Sequence, residues 1–160
     1  GALRALRDSA GGEREQAMAD FEGRWRGEPL VLDKWFALMA TSRLPGAIER
    51  LHDLMAHPGF SIRNPNRVRA VIGSFARGNP LHFHAADGSG YSFVADRVVE
   101  IDAFNQQIAA RLAGVFSRWR RYDEGRSAAM RDALERIAGT AGLSSDVAEI
   151  VTRSLAMEVR

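Results

Sequence analysis

Apolar side chains recur at helical spacing from the first turns of the chain onward. Ala17, Phe21 and Trp25 follow Glu13 at intervals of four residues, which places them on one face of an α-helix. Gly27 comes shortly after this run and is a residue that favours a turn. The pattern therefore predicts a helix that starts near Glu13, ends near Gly27 and carries one apolar stripe.

Glycine and proline separate further short helices in the first half of the chain. A short helix is predicted before this one, over Ala2 to Asp8. The next apolar stripe begins around Leu30 or Asp33, and its wide apolar face indicates burial on more than one side. Pro45 is predicted to be the first residue of the helix after that, because its missing N–H has no intrahelical partner at that position anyway.

Two Asn-Pro dipeptides give the strongest helix-start signals. Asn64 precedes Pro65, and Asn79 precedes Pro80; asparagine caps a helix and proline suits its first position. The second dipeptide is predicted to start a single helical turn over Leu81 to His84. The first starts a helix that ends at Gly78 and carries an apolar stripe made of Val68, Val71, Ile72 and Phe75.

The second half of the chain continues the helical period. From Tyr91 to Trp119 it predicts one long helix or two in near line, the second capped by Asp102 or Asn105. Two more helices follow, one starting at Asp123 and one capped within Ser144-Ser145. No segment alternates with period two for long enough to indicate a strand. Residues 1–160 are therefore predicted to form a single all-α domain of about eight or nine helices, as a closed bundle or an open superhelical array.

Composition excludes several classes of protein and leaves one question open. The 160 residues, 46% hydrophobic and 26% charged with a net charge of +2, suit one soluble globular domain. With no cysteine, disulfides, thiolate zinc sites and cysteine nucleophiles are excluded. No apolar run approaches the ~20 residues of a membrane span. Lys34 is the single lysine among 22 Lys and Arg residues, a bias that reflects either genome composition or an anion-binding surface.

Candidate chemical motifs are few. His82-Phe83-His84 has two histidines, but on a helical turn their rings point apart, so capping or core histidines are favoured over a metal site. Gly88-Ser89-Gly90 favours a tight turn over a phosphate site, since no strand precedes it. Trp119-Arg120-Arg121-Tyr122 mixes basic and aromatic residues, but at a helix end arginines complement the dipole, so nucleic-acid binding is not expected. The sequence contains no His-Glu-x-x-His zinc motif and no nucleophile elbow.

Three arginines lie at the edges of predicted apolar stripes. With Ile108, Leu112 and Val115 as the centre of one stripe, Arg111 falls about 60° from that centre at ~100° per residue. Arg67 and Arg69 flank the stripe of the Asn64 helix on opposite sides. Two interpretations stay open for all three: arginines in surface ion pairs, or the polar wall of a cavity that faces an anionic ligand group.

Six short sequence strings along the chain carry a resemblance to a known family. They are Asp33-Lys34-Trp35-Phe36, Asn64-Pro65-Asn66-Arg67-Val68-Arg69, Ile72-Gly73-x-Phe75, Asp87-Gly88-Ser89-Gly90-Tyr91, Asn105-x-Gln107-x-Ala109-x-Arg111 and Arg121-Tyr122-Asp123. Together they closely resemble the C-terminal domain of the bacterial aminopeptidase N family, zinc-dependent alanyl aminopeptidases of the gluzincin class. The resemblance extends from about Glu13 to Ala156 with little or no gap.

The resemblance implies an armadillo-like superhelix of helix pairs that closes over an active site located elsewhere. It also implies that Arg69 and Arg111 turn toward that site and contact the C-terminal side of a peptide substrate. Gln106 departs from the family pattern, where a proline is common, so the long helix is expected to run on without a break. His82 replaces a small residue, which further weakens a metal interpretation.

The expected function is that of a non-catalytic cap domain that gates an aminopeptidase active site and helps to bind peptide. The chain itself is expected to hold no catalytic residue and no metal, with zinc in the missing catalytic domain of the same polypeptide. A cytoplasmic monomer with no nucleic-acid or membrane partner is expected, and Gly1 suggests a piece of a longer chain. The alternative is a free-standing α-solenoid that binds a protein or nucleic acid through an arginine-lined face; only a severed cap should expose a substantial apolar patch.

Overall fold

The structure is a computed structural model in which residues 7–156 are described. Within that range every regular element is helical and no strand occurs, so the predicted all-α class is confirmed. The predicted helix over Ala2 to Asp8 falls mostly outside the described residues, and residues 7 and 8 form a turn. Contacts along the chain divide it into two compact units, Gly1–His82 and Phe83–Arg160, which we call unit 1 and unit 2.

Unit 1 is built from three helices and a composite helix. These are α1 (Gly12–Trp25), α2 (Pro29–Ala40), α3 (Ala47–Met55) and α4, which consists of Pro65–Val68, a π-helical turn Arg69–Gly73 and Ser74–Gly78. Helix α2 packs against the other three and buries Leu32, Trp35 and Phe36 among them. The prediction that this helix is buried on more than one side is therefore confirmed.

Unit 2 is a compact set of four helices. Helix α5 (Pro80–Phe83) spans the sequence boundary between the units and is followed by α6 (Ser89–Asp102), α7 (Gln106–Ala113), α8 (Glu124–Ala138) and α9 (Ser145–Ala156). Two 3-10 turns, Gly114–Phe116 and Trp119–Arg121, join α7 to α8. Helix α6 packs against α7 and α8, and α9 packs against the same two helices. The four helices thus enclose one apolar core, which contains Val94, Val98, Met130, Leu134, Ile137, Val147 and Val151.

Most predicted helix starts are confirmed by their hydrogen bonds. The Asn64 side chain accepts from the backbone N–H groups of Asn66 and Arg67, and Asp123 caps α8 by accepting from Arg126 N. Ser144 Oγ accepts from Val147 N at the start of α9. In each case a short polar side chain satisfies backbone donors that the first helical turn leaves without an intrahelical partner.

Two predicted boundaries are wrong. Pro45 is not the first residue of α3, because Gly46 takes a left-handed conformation (φ 77°) and the helix begins at Ala47. For the segment after Tyr91, the alternative of two helices with the second capped by Asn105 is confirmed, but the two are not in line and no helix runs on through Gln106. The first of them ends at Asp102, Asn105 accepts from Ile108 N, and α7 packs beside α6 as a hairpin. The Asn105 cap outweighs the absence of a proline, because it supplies a partner for a first-turn N–H of α7.

Helix α1 has a different inward face from the one that its apolar spacing suggests. Its buried residues are Arg14, Met18 and Glu22. The predicted stripe is only half-buried at Ala17 and Phe21, and Trp25 is 38% exposed. The two stripes lie one residue apart, about 100° around the helix. Two charged side chains take core positions here because each finds hydrogen-bond partners inside unit 1, as described below.

Candidate functional site

Arg69, one of the two predicted substrate-contacting residues, is exposed on the surface of unit 1. It is the first residue of the π-helical turn in α4, and such turns are frequent at functional sites. Its Nη1 donates to Asn66 Oδ1 at 3.0 Å. Because Asn66 lies in the first turn of the same helix, this bond directs the guanidinium along the helix surface toward its N-terminus.

Arg67, on the other flank of the same stripe, is a core residue with only 8% of its surface exposed. Its Nε donates to Gly59 O at 2.8 Å and its Nη1 donates to Asp33 Oδ1 at 2.5 Å. The side chain therefore joins the α3–α4 connection and α2 to the start of α4. Of the two interpretations left open by the sequence, the ion pair is the one found, but it is buried and belongs to the core.

Arg111, the other predicted substrate-contacting residue, is exposed on α7 in unit 2. Its predicted place, about 60° from the centre of an apolar stripe, is wrong. The residues that α7 buries are Ala109, Leu112 and Ala113, and Arg111 lies about 160–200° around the helix from Ala109 and Ala113. The shift arises because α7 ends at Ala113, so Val115 lies in a 3-10 turn and does not extend the stripe.

The two histidines of the His82-Phe83-His84 motif have partners of their own. In unit 1, His82 Nε2 lies 2.9 Å from Arg43 O. In unit 2, His84 Nδ1 lies 2.6 Å from Tyr91 Oη. Across residues 7–156 no three His, Cys, Asp or Glu side chains gather closely enough to hold a metal ion. The donor set of the described chain therefore does not fit a zinc site.

His84 forms a polar cluster with Tyr91, Tyr122 and Arg126 that the sequence pattern did not indicate. Its ring stacks on Tyr122 with centroids 4.4 Å apart, and its carbonyl accepts from Arg126 Nε at 2.7 Å. Burial raises the pKa of Tyr91 to about 12, so the phenol stays neutral, and its hydroxyl forms a hydrogen bond with His84 Nδ1. Burial and, to a lesser extent, the Arg126 charge lower the pKa of His84. The cluster thus favours a neutral imidazole that is hydrogen-bonded to the Tyr91 hydroxyl through Nδ1.

A second polar cluster surrounds Glu22 in unit 1. Arg26 donates to both of its carboxylate oxygens at 2.7 and 2.9 Å, and His57 Nε2 lies 2.8 Å from Oε1. Gly59 N donates to His57 Nδ1 at 2.8 Å, so the proton of the neutral ring resides on Nε2 and points at Glu22. The hydrogen bond from Arg26, with a smaller contribution from His57, lowers the pKa of Glu22 to about 2.

A pocket of about 390 Å³ in unit 1 is lined by side chains of both charges. Arg14, which is 3% exposed, donates to Arg7 O at 2.8 Å and forms an ion pair with Glu15. Arg50 donates to Leu44 O at 2.9 Å and to Pro45 O at 3.1 Å. Arg50 therefore supports the loop before α3, whereas Arg14 holds the segment before α1 and reaches Ser42 Oγ at 3.5 Å. These structural tasks account for the positions of both guanidinium groups.

In unit 2, Trp119 and Arg120 close the end of α9. Trp119 Nε1 and Arg120 Nη1 both donate to Ser154 O at 3.0 Å, and Arg120 Nη2 donates to Leu155 O at 2.7 Å. Carbonyl groups at a helix C-terminus lack intrahelical partners, and a nearby cation complements the helix dipole. The basic and aromatic residues of this segment therefore have a structural task, as the sequence suggested, although the helix end that they serve is that of α9.

The fold and the comparisons with known proteins agree on the class of protein. The chain belongs to the family described as a domain of unknown function (DUF3458_C) with ARM repeats, whose model matches residues 1–156. Among its relatives, aminopeptidase N of Caulobacter vibrioides is 43% identical over 165 residues, which are 97% of this chain and 19% of that protein. Aminopeptidase N of Escherichia coli is 42% identical over 143 residues, 89% of this chain and 16% of that protein.

A solved structure gives the same result in three dimensions. The crystal structure of Legionella pneumophila aminopeptidase A in complex with aspartic acid superposes with a TM-score of 0.90 at 37% sequence identity, over 96% of this chain and 18% of that one. The predicted resemblance to the C-terminal domain of aminopeptidase N is therefore confirmed. The chain spans less than a fifth of the length of each of these relatives. None of its described helices has the length and apolar character that a bilayer span requires.

Proposed function

We propose that this chain is the non-catalytic cap domain of a longer aminopeptidase, which gates the active site and helps to hold the peptide substrate. The observation that carries the proposal is the match of nearly the whole chain, at 42–43% identity, to a small part of aminopeptidase N from two bacteria. The parent polypeptide would remove N-terminal residues from peptides in the cytoplasm, as a monomer. The catalytic domain of the same polypeptide is the partner.

In this proposal the zinc ion is bound outside this chain. Family resemblance implies a zinc ion in the parent catalytic domain, where it would activate the water that cleaves the N-terminal peptide bond. The described residues of this chain offer no cluster of ligands for the ion, and the histidines at positions 82 and 84 are engaged with a carbonyl and a phenol. What the chain supplies is shape and charge around the substrate.

Arg69 and Arg111 are the residues that we propose to contact the peptide. Both are exposed, so each guanidinium is accessible to a ligand from outside its unit. A guanidinium binds a carbonyl or a carboxylate through charge-assisted hydrogen bonds, which are stronger than neutral ones. Contact with the C-terminal side of the peptide would favour longer substrates over a single residue joined to a small leaving group.

The test uses the full-length polypeptide that carries this chain. Arg111→Ala and Arg69→Ala are each expected to reduce kcat/KM for a tripeptide about 10–100-fold, the loss of one hydrogen bond to a charged group. Hydrolysis of an alanyl anilide, which has no C-terminal peptide portion, should change much less. Arg118→Ala serves as the control, because Arg118 is also exposed in unit 2.

Three outcomes would count against the proposal. If the wild-type polypeptide hydrolyses neither substrate, the aminopeptidase assignment fails. If both substrates are affected equally, or if Arg118→Ala behaves like Arg111→Ala, the arginine roles fail. A chain that does not copurify with the matching catalytic fragment, but does capture another protein or a nucleic acid, would favour a free-standing α-solenoid.

A further inference from the structure

Arg69 is an exposed arginine whose hydrogen-bond partner is an uncharged side chain. Its Nη1 donates to Asn66 Oδ1 at 3.0 Å, and residues 65–78 of α4 contain no aspartate or glutamate. By contrast, Arg131 on the surface of α8 forms an ion pair with Glu135 one turn away. The amide of Asn66 orients the guanidinium of Arg69 without neutralising it, so the positive charge stays available to a ligand.

The backbone of Arg69 is fixed by the π-helical turn that begins with it. Ser74 donates to Arg69 O from its backbone N–H and also from Oγ, at 3.3 Å. The remaining residues of the turn, 70–73, are all buried, so the turn cannot rotate without exposing them. Arg69 is therefore held at both ends, at its carbonyl by Ser74 and at its guanidinium by Asn66.

The side chain of Asn66 is not needed for the start of α4. The N-cap is Asn64, whose Oδ1 accepts from Asn66 N at 3.0 Å and from Arg67 N at 3.4 Å, and Pro65 is the first helical residue. Asn66 itself is exposed, and substitutions at such surface positions usually change stability little. The helix can therefore form without this side chain, and what the Asn66 amide contributes is the orientation of Arg69.

A guanidinium held in this way still has donors for a peptide. It carries five N–H groups in a rigid fork, and the bond to Asn66 uses a donor at Nη1. Charge-assisted hydrogen bonds to a carbonyl or a carboxylate form when the fork faces the ligand. A side chain that is ordered before binding loses less conformational freedom on binding, so orientation by Asn66 would raise the affinity for peptide without a new contact.

We propose that Asn66 is a positioning residue, whose Oδ1 holds the Arg69 guanidinium in the orientation that receives the C-terminal side of a peptide substrate. The inference rests on the proposed function, in which Arg69 contacts that part of the peptide. Asn66 acts through Arg69 and does not touch the peptide itself. Its contribution is therefore limited to substrates that are long enough to reach Arg69.

The test compares variants of the full-length polypeptide that carries this chain. Asn66→Ala is expected to raise KM for a tripeptide about 3–10-fold, the cost of ordering one flexible side chain on binding, and to leave kcat within about twofold. Hydrolysis of an alanyl anilide should not change. Asn66→Gln keeps a neutral amide acceptor and should recover most of the lost affinity. Gln16→Ala is the matched control and should change neither substrate, because Gln16 is an exposed amide of unit 1 that donates to Asp20.

A double variant, Asn66→Ala with Arg69→Ala, separates positioning from other effects. If Asn66 acts through Arg69, its removal changes KM no further once Arg69 is alanine. A further loss in the double variant, an equal loss with the anilide, or wild-type kinetics for Asn66→Ala each overturns the inference. Urea unfolding of Asn66→Ala should match that of the wild type, and a clearly lower midpoint would indicate a structural role instead.

The single variant Arg69→Ala distinguishes failure of this inference from failure of the proposed function. If Arg69→Ala weakens tripeptide hydrolysis and Asn66→Ala does not, the peptide contact of Arg69 stands and the role of Asn66 is wrong. If Arg69→Ala has no effect, or if the wild-type polypeptide hydrolyses neither substrate, the proposed function fails and the inference fails with it.

Discussion

Charged side chains inside unit 1 are held by specific partners. Arg14, Glu22 and Arg67 are each less than 9% exposed, and each has hydrogen bonds to side-chain or backbone groups. A buried charge is tolerated only when it is paired and hydrogen-bonded, since desolvation alone costs several kcal/mol. These residues therefore help to set the orientation of α1 and of the start of α4.

Glu22 should make the stability of the protein depend on acid pH. Its folded pKa of about 2 lies below the ordinary value of 4.5, so its stabilising effect is complete above about pH 4.5 and is lost as the pH falls toward 2. We expect Glu22→Gln to lower the free energy of unfolding by about 1–2 kcal/mol at pH 7. The value is modest because Arg26 is mostly exposed, so that water screens its interaction with Glu22.

Urea unfolding at several pH values checks this expectation. The difference between wild type and Glu22→Gln should be largest near neutral pH and should shrink between pH 4.5 and 2. Glu13→Gln is the control, because Glu13 is an exposed acid on the same helix. A difference that stays constant down to pH 2 would show that the carboxylate charge of Glu22 does not contribute.

Tyr91 should control the protonation of His84. The folded pKa of His84 lies below its usual 6.5, so the neutral ring is favoured and stability falls as the pH drops below that value. The Tyr91 hydroxyl lies 2.6 Å from His84 Nδ1. We expect it to donate to the neutral ring, so that Tyr91→Phe removes a bond that favours the neutral form. The pKa of His84 should therefore rise, and about 1 kcal/mol of stability should be lost at pH 7.

NMR titration of the histidine ring protons measures this change directly. The signal of His84 is assigned by its loss in His84→Asn. The signal of His52, an exposed histidine in unit 1, should titrate identically in wild type and Tyr91→Phe. An unchanged midpoint for His84 would mean that the hydroxyl does not favour the neutral ring.

At the scale of helices, two identical start signals both cap a helix, since Asn79 Oδ1 accepts from His82 N at 3.4 Å, but the second signal has a further task. Asn64 is exposed and caps α4. Asn79 is 2% exposed and donates from Nδ2 to Ala40 O at 3.1 Å and Ser42 O at 2.9 Å. The second asparagine therefore joins the end of α4 to the end of α2, a long-range contact that its dipeptide does not indicate.

Replacement of the two asparagines should separate these tasks. Asn64→Ala is expected to cost about 1 kcal/mol, the usual value for a lost N-cap. Asn79→Ala should cost about 2–3 kcal/mol, because two buried carbonyl groups lose their donor. Chemical denaturation of both variants provides the comparison. Equal costs would mean that the Asn79 contacts to α2 contribute nothing beyond capping.

Helix positions were predictable from the chain, but the rotation of individual helices was not. The helix starts at Asn64, Asp123 and Ser144 depend on local hydrogen bonds, so local residue types suffice to find them. In α1 and in α7, the buried face lies about one residue position around the helix from the face that apolar spacing predicts. Apolar spacing alone gives the wrong face where charged residues occupy the core and where a helix ends in a 3-10 turn.

At the scale of the whole molecule, each unit has an all-helical core, and α1 carries an exposed tryptophan, Trp25. All three tryptophans lie in the described part, and Trp25 is the most exposed of them. Acrylamide quenching of the isolated chain should therefore act mainly on Trp25. Trp25→Phe should remove most of the readily quenched fluorescence, whereas Trp119→Phe should leave it in place. Loss of the quenchable signal in the second variant instead of the first would contradict the exposure of α1.

The sequence by itself determined the helical class, most helix boundaries and the family. These depend on the spacing of apolar residues, on capping residues and on short sequence motifs, all of which are local along the chain. Tertiary structure decided which face of α1 is buried, that Arg67 is a core residue while Arg69 and Arg111 are exposed, and that His84 pairs with Tyr91. Such features depend on contacts between residues far apart in the chain, where a hydrogen-bond partner, and not the residue type, determines whether a charge can be buried.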